Sequence, residues 1–184
     1  MRCAGMEGSS SVFLQKIEEQ YIEGIADNMR TYGVSATVGR VLGVIYTNRK
    51  PMTLEELSAE TGMSKTRMSQ VVREMIDLNI ASKVYEKGVR KDLYNVEEDY
   101  YQTFISLFTS NWQKVIQKNK IIGKRLANQL NKELESGNLT EETENELNVW
   151  LDETRQWMNY YQWLDHLVDF FESGEIFKHV PKPE

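Results

Sequence analysis

Apolar side chains recur every third or fourth residue along most of this chain, and the breaks fall at glycine, proline or a capping residue. Phe13 or Leu14, Ile17, Tyr21, Ile25, Met29 and Tyr32 mark a first amphipathic helix, which Gly33 closes. Val38, Val41, Leu42, Ile45 and Tyr46 mark a second from Ser35 to about Asn48, with Gly39 and Gly43 four apart so that another backbone can approach closely. Pro51 breaks the run. Thr53 then caps a short helix with Glu55 and Glu56 in its first turn, and Gly62 ends it. Ser64 caps the next helix, whose buried stripe is Met68, Val71, Val72, Met75, Ile76 and Leu78. After Asn79 the period shortens to two. Ala81 to Tyr85 and Leu93 to Val96 read as strands around EKGVRKD, with Gly88 permitting the turn.

From Glu97 to about Leu134 one long helix is predicted, carrying Tyr101, Phe104, Phe108, Trp112, Val115 or Ile116, Ile122, Leu126, Leu130 and Leu134. The turn SGNLT follows, and Thr140 caps a last helix that runs to about Phe171. That helix has two apolar stripes. One is Leu147, Trp150, Leu151, Trp157, Tyr161, Leu164, Val168 and Phe171; the other is Val149, Tyr160, Trp163, Leu167 and Phe170. Roughly 30 helical residues span about 45 Å, more than a compact module of this size needs. Two stripes call for two partners, one in the same chain and one in a second copy, so a homodimer is expected.

The fold class implied is mainly α with a small two-stranded β wing. A winged helix-turn-helix at residues 35–96 lies between an N-terminal dimerisation helix at 12–34 and a C-terminal helical dimerisation and effector region at 97–184. The Gly/Ser-rich opening, residues 1–11, reads as a disordered leader.

Opposite the buried stripe of the second helix of the helix-turn-helix lie Ser64, Lys65, Thr66, Arg67, Ser69, Gln70 and Arg73. These are donor-bearing types that reach phosphates and base edges when the start of a recognition helix enters a major groove. Lys87, Gly88, Arg90 and Lys91 form the wing tip and offer three cations to phosphates or a minor groove. A dimer presents two such helices, which suits double-stranded DNA with a pseudo-palindromic operator.

Charge supports this only when read locally. The chain is −6 overall, yet residues 36–96 hold ten Lys or Arg against seven Asp or Glu, while the remainder holds twelve against twenty-one. A cationic face on an acidic protein favours specific binding over non-specific background. An enzyme finds little support: the histidines are His166 and His179, and neither a phosphate-cradling glycine loop nor HExxH-type metal spacing occurs, so no catalytic or metal residues and no cofactor are assigned. Cys3 is the single cysteine and cannot form a disulfide within the chain. No apolar run approaches the roughly 20 residues of a membrane helix, and no signal peptide is evident, so a cytoplasmic protein is expected. The rival is a winged-helix module that binds protein without contacting DNA; positive charge on both helix and wing argues against it.

YGVSATVGRVLGVIY, PMTLEELSAETGMSKTRMSQVVREM, EKGVRKDLY and YYQWLDHLVDFFESGEIFKHVP resemble the GbsR branch of the MarR-type winged-helix repressors, and the likeness runs from Tyr21 to Pro181. It implies control of choline uptake or of glycine betaine synthesis, with choline or a related quaternary ammonium as effector. Such a cation is recognised by aromatic faces, often beside a carboxylate. Nineteen residues are aromatic, and a group gathers where the wing rejoins the long helix: Tyr94, Tyr101, Phe104, Phe108 and Trp112 are the candidate effector residues. A ligand there could alter the spacing of two recognition helices.

Overall fold

A computed structural model describes residues 4–183, with side chains from residue 11 onward. Cys3 lies outside the described residues. The chain divides into two compact units, residues 1–107 and 108–184.

The first unit opens with α1 (Ala4–Met29), so helix begins inside the segment read as a disordered leader. Ala4, Met6 and Glu7 are good helix formers, and the cost of Gly5 and Gly8, about 1 kcal/mol each, is spread over a 26-residue helix. A short 3-10 turn (Arg30–Tyr32) and Gly33, at φ 70°, end it. α2 (Ala36–Asn48) starts at Ser35, whose hydroxyl accepts the Val38 N–H. The two helices cross where the paired glycines lie. A Cβ on Gly39 would stand 2.6 Å from Ala26 Cα, and one on Gly43 would stand 3.1 Å from Ile22 Cα.

Met52 and Thr53 form a strand, β1, where the sequence reading has only a helix cap. The sheet therefore has three antiparallel strands, not two, in the order β1-β3-β2. β1 pairs Met52 with Tyr94 and Thr53 with Leu93, while β2 (Ala81–Val84) pairs with β3 (Leu93–Val96) from Ala81 opposite Val96 to Val84 opposite Leu93. Two residues carry no period of their own, and only the partner strand reveals β1. β2 stops one residue short of the predicted Tyr85, which is exposed.

Between the strands run α3 (Leu54–Thr61) and α4 (Lys65–Asp77). Thr53 and Glu56 form a reciprocal cap: the Glu56 N–H donates to Thr53 Oγ1 at 3.2 Å, and the Thr53 N–H donates to Glu56 Oε2 at 2.7 Å. Gly62, at φ 69°, makes the turn into α4, where Ser64 Oγ accepts the Arg67 N–H at 3.2 Å. Met68, Val71, Val72 and Met75 pack with Val38, Val41, Leu42, Ile45, Leu57 and Ile80 in one core. Asn79 takes the left-handed conformation after α4 at φ 56°, a position asparagine tolerates well.

α5 (Tyr100–Leu134) begins three residues later than predicted. Asp99 caps it: Oδ1 accepts the Tyr101 N–H at 2.9 Å, and its carbonyl accepts the Thr103 N–H at 2.9 Å. An acidic residue with a short side chain at the cap stops the helical pattern from extending back to Glu97.

In the second unit the rest of α5 runs antiparallel to α6 (Glu141–Glu172), whose cap is Thr140. Phe108 meets Phe171, Gln113 Nε2 donates to Glu172 Oε1, and Lys120 pairs with Asp165. Ile116, Leu164 and Val168 form a small core edged by Trp112, Tyr161 and Leu167. Of the first α6 stripe, Tyr161, Leu164 and Val168 meet this core and Trp150 is exposed; of the second, Leu167 packs on the core while Val149, Tyr160 and Trp163 are exposed. Gly174 ends α6, and a further turn, α7 (Ile176–His179), follows where no element is predicted. Among the described residues, no helix is long and apolar enough to cross a membrane.

Candidate nucleic-acid interface

α4 has one buried face and one open one. Lys65, Thr66, Arg67, Gln70 and Arg73 are exposed on the open face, Ser69 is half-buried beside them, and Met68, Val71, Val72 and Met75 anchor the reverse side. Several of these donors are held in place. Arg67 Nη1 donates to Gln70 Oε1 at 3.3 Å, while Arg73 donates to the Ser69 carbonyl and to Ser69 Oγ, each at 3.2 Å. Ser64, placed by the sequence among the DNA contacts, spends its hydroxyl on the helix cap, which sets where α4 begins.

The wing turn is closed by the Val89 N–H donating to the Glu86 carbonyl at 3.2 Å, with Gly88 at φ 92°. Lys87, Arg90 and Lys91 are all exposed there. Asp92, at the base of the turn, is bound by Lys83 at 2.7 Å, which pushes the Lys83 ammonium above its usual range and offsets one of the two acids of the segment, the other being Glu86. Among the described residues, Arg67, Arg73, Lys87 and Arg90 make no ion pair, so their charge faces solvent.

One residue joins helix and wing. Glu55 Oε1 lies 2.5 Å from Lys65 Nζ and 3.7 Å from Lys91 Nζ. The Lys65 hydrogen bond is the main cause holding the Glu55 carboxyl below its ordinary range, with its own backbone N–H next. The sequence pattern places Glu55 only in the first turn of α3. Its spacing to Lys65 carries no periodic signal, because the link crosses from α3 to α4 and the wing.

The five candidate effector residues fall on both sides of the unit boundary. In the first unit Tyr94 sits half-buried on β3, and Tyr101 and Phe104 are exposed on the opening turns of α5, with Phe104 meeting Tyr32 edge-on at 6.2 Å. In the second, Phe108 packs against Phe171 at 4.9 Å and Trp112 at 6.4 Å. The first unit also gathers two tyrosines that their spacing places only on helix stripes, Tyr21 and Tyr46, at the start of α5. Tyr21 and Tyr46 converge on Tyr100: the Tyr21 and Tyr100 hydroxyls hydrogen-bond, and the Tyr46 and Tyr100 rings meet edge-on at 5.2 Å. Tyr46 Oη donates to the Glu97 carbonyl at 2.8 Å. Desolvation first, then the Tyr100 hydroxyl, pushes the Tyr21 phenol up to about 12. Residues 21, 46 and 100 share no local pattern, so only folding brings them together.

Comparison with known proteins agrees with this arrangement. The model for the GbsR family transcriptional regulator C-terminal helical hairpin matches residues 100–178, and the MarR family model matches residues 32–86. The HTH-type transcriptional repressor OpcR of Bacillus subtilis (strain 168) is 60% identical over 96% of each chain. The putative HTH-type transcriptional regulator YvaV of the same organism is 58% identical over 97% of this chain and 100% of its own. The HTH-type transcriptional repressor GbsR, again from that organism, is 33% identical over 91% of this chain and 93% of its own. A crystal structure of a transcriptional regulator shares the fold at a TM-score of 0.59 and 13% identity, over 86% of this chain and 97% of the other. Recognition helix, wing and relatives together define a winged helix-turn-helix DNA-binding transcriptional regulator. The chain belongs to the GbsR family of these regulators.

Proposed function

We propose that the protein acts as a homodimeric repressor of genes for choline uptake or glycine betaine synthesis, and that choline or a related quaternary ammonium releases it from its operator. The observation that carries the DNA contact is the open face of α4, where Lys65, Arg67, Gln70 and Arg73 stand clear over a fully buried reverse side. Arg67 and Gln70 read base edges, and Lys87, Arg90 and Lys91 hold phosphates. Ser64 acts through the helix start, and Gly88 through the turn. The operator is pseudo-palindromic, with half-sites one helical turn apart, about 10 base pairs.

Exposed Val149, Tyr160 and Trp163 on α6 support a second copy as the cover for that face. For the effector, the family likeness supplies the chemical class. The aromatic side chains around the start of α5 supply cation-binding faces, Tyr94, Tyr100, Tyr101 and Phe104 in the first unit and Phe108 and Trp112 in the second. The carboxylates of Glu97 and Asp99 lie close enough to Tyr46 to act on it electrostatically, which adds negative charge beside the tyrosines.

A mobility shift with DNA from the gene's own upstream region, at fixed salt and with or without choline, tests the whole reading. Specific retention that choline abolishes is expected, and Arg67→Ala should weaken it by about 1–3 kcal/mol with altered sequence preference. Absence of specific retention, or retention that does not weaken when the shift is repeated at higher ionic strength, would instead favour a protein-binding winged helix.

A further inference from the structure

Charge is spread unevenly on the hairpin of the second unit. α6 carries nine Asp or Glu against one Lys or Arg, Arg155, and one histidine, His166. That residue stands on the wall of a cleft of about 520 Å³ between α5 and α6, within the size range of small-molecule sites. Lys120 and Lys124 come from α5 on the other wall, and Ala127, Leu151 and Met158 supply apolar surface.

Lys120 is already committed, its Nζ lying 2.5 Å from Asp165 Oδ2 in a pair only about a third exposed at most. This neutralises the one acid that lines the cleft. Lys124 makes no ion pair among the described residues. Arg155 meets Asp152 through Nη1 at the exposed rim, which leaves the rest of its guanidinium available. The side-chain amides of Asn159 and Gln162 stand beside it as further donors. The result is a positive, donor-rich cleft on the most acidic helix of the chain.

We infer that this cleft binds a small organic anion: a carboxylate or phosphate group held by Lys124 and Arg155, with a short apolar body against Ala127, Leu151 and Met158. Charge-assisted bonds to the head group carry the affinity. Arg155, Asn159 and Gln162 lie about a third of a turn around α6 from Val149, Tyr160 and Trp163, so a second copy covering the apolar stripe leaves the cleft a separate face. Neither the site nor its test depends on DNA binding.

The test is calorimetry on the full chain at constant pH and ionic strength. Phenyl phosphate and hexanoate offer both head group and body; inorganic phosphate lacks the body, and hexanamide lacks the charge. Saturable binding of at least one of the first two is expected, and it should be at least tenfold tighter than the probe that lacks one part. Preference for phenyl phosphate or for hexanoate identifies the head group. Lys124→Gln and Arg155→Gln, both exposed changes, should each weaken binding at least tenfold. The inference fails if neither anion saturates, if hexanamide matches hexanoate and inorganic phosphate matches phenyl phosphate, or if both variants bind as the parent does.

Discussion

The winged module and the terminal hairpin are both built from well-capped helices, yet they differ sharply in what each buries for itself. Among the described residues, seventeen apolar side chains are buried in the core that the module shares with the neighbouring residues Met29, Val34 and Leu107, while three are buried in the hairpin's. Thr53 and Thr140 each cap a helix through a side-chain hydroxyl, so the difference does not lie chiefly in local helix signals. It lies in side-chain burial, which stabilises by about 1.5–3 kcal/mol for each large apolar group removed from water. The module satisfies its apolar stripes internally. The hairpin leaves Val149, Trp150, Tyr160 and Trp163 facing outward.

Breaking the proposed cover is the strongest way to sharpen this contrast. Tyr160→Ser combined with Trp163→Ser should raise the dimer dissociation constant at least a hundredfold, about 2.7 kcal/mol. Sedimentation equilibrium reads it directly, and a dimer of unchanged affinity would mean that another face joins the copies. Next in size is Gly39→Ala. Its new methyl group would meet the Ala26 backbone, which cannot step aside, so thermal unfolding should show a loss of about 1–3 kcal/mol.

Gly123→Ala is the matched probe in the hairpin. There the methyl group would meet Met158 Cγ, part of a flexible side chain, and alanine recovers about 1 kcal/mol of helix propensity. Stability within about 1 kcal/mol of the parent is expected; a loss as large as at Gly39 would show the hairpin to be as rigidly packed as the module. The smallest effect concerns pH. The Thr53 backbone N–H, then its hydroxyl, holds the Glu56 carboxyl below its usual range. A depressed folded value stabilises the fold above the unfolded carboxylate value, about 4.3, and that contribution fades as pH falls through the lower folded value. Glu56→Gln should therefore flatten the stability profile below about pH 5 by a few tenths of a kcal/mol, small because the side chain is largely exposed. Denaturant midpoints at pH 7 and pH 3.5 measure it.

Legibility followed the range of the interaction. Helix caps at Thr53, Ser64 and Thr140, the left-handed turns at Gly33, Gly62 and Gly88, and the buried stripe of α4 all depend on neighbours within a few residues, and each stands where spacing placed it. β1 was missed because a two-residue strand exists only through its pairing with β3. The start of α5 shifted to Tyr100 because the Asp99 carboxylate competes for the first backbone donors. At the interface, the exposed cations of α4 and the wing could be read from their positions opposite an apolar stripe. The Glu55 link between them could not, since a contact from position 55 to positions 65 and 91 has no local signature.

What the sequence alone determined is the long helices, the helix-turn-helix with its wing, and the basic face, because periodicity, caps and glycine conformations act through adjacent residues. Tertiary structure decided the rest. It chose which residues of the two α6 stripes are buried against α5, brought Tyr21, Tyr46 and Tyr100 together from three helices, and set Arg155 opposite Lys124 across a cleft. Those outcomes depend on residues far apart in the chain competing for the same space. Close packing settles that competition only once the helices have met.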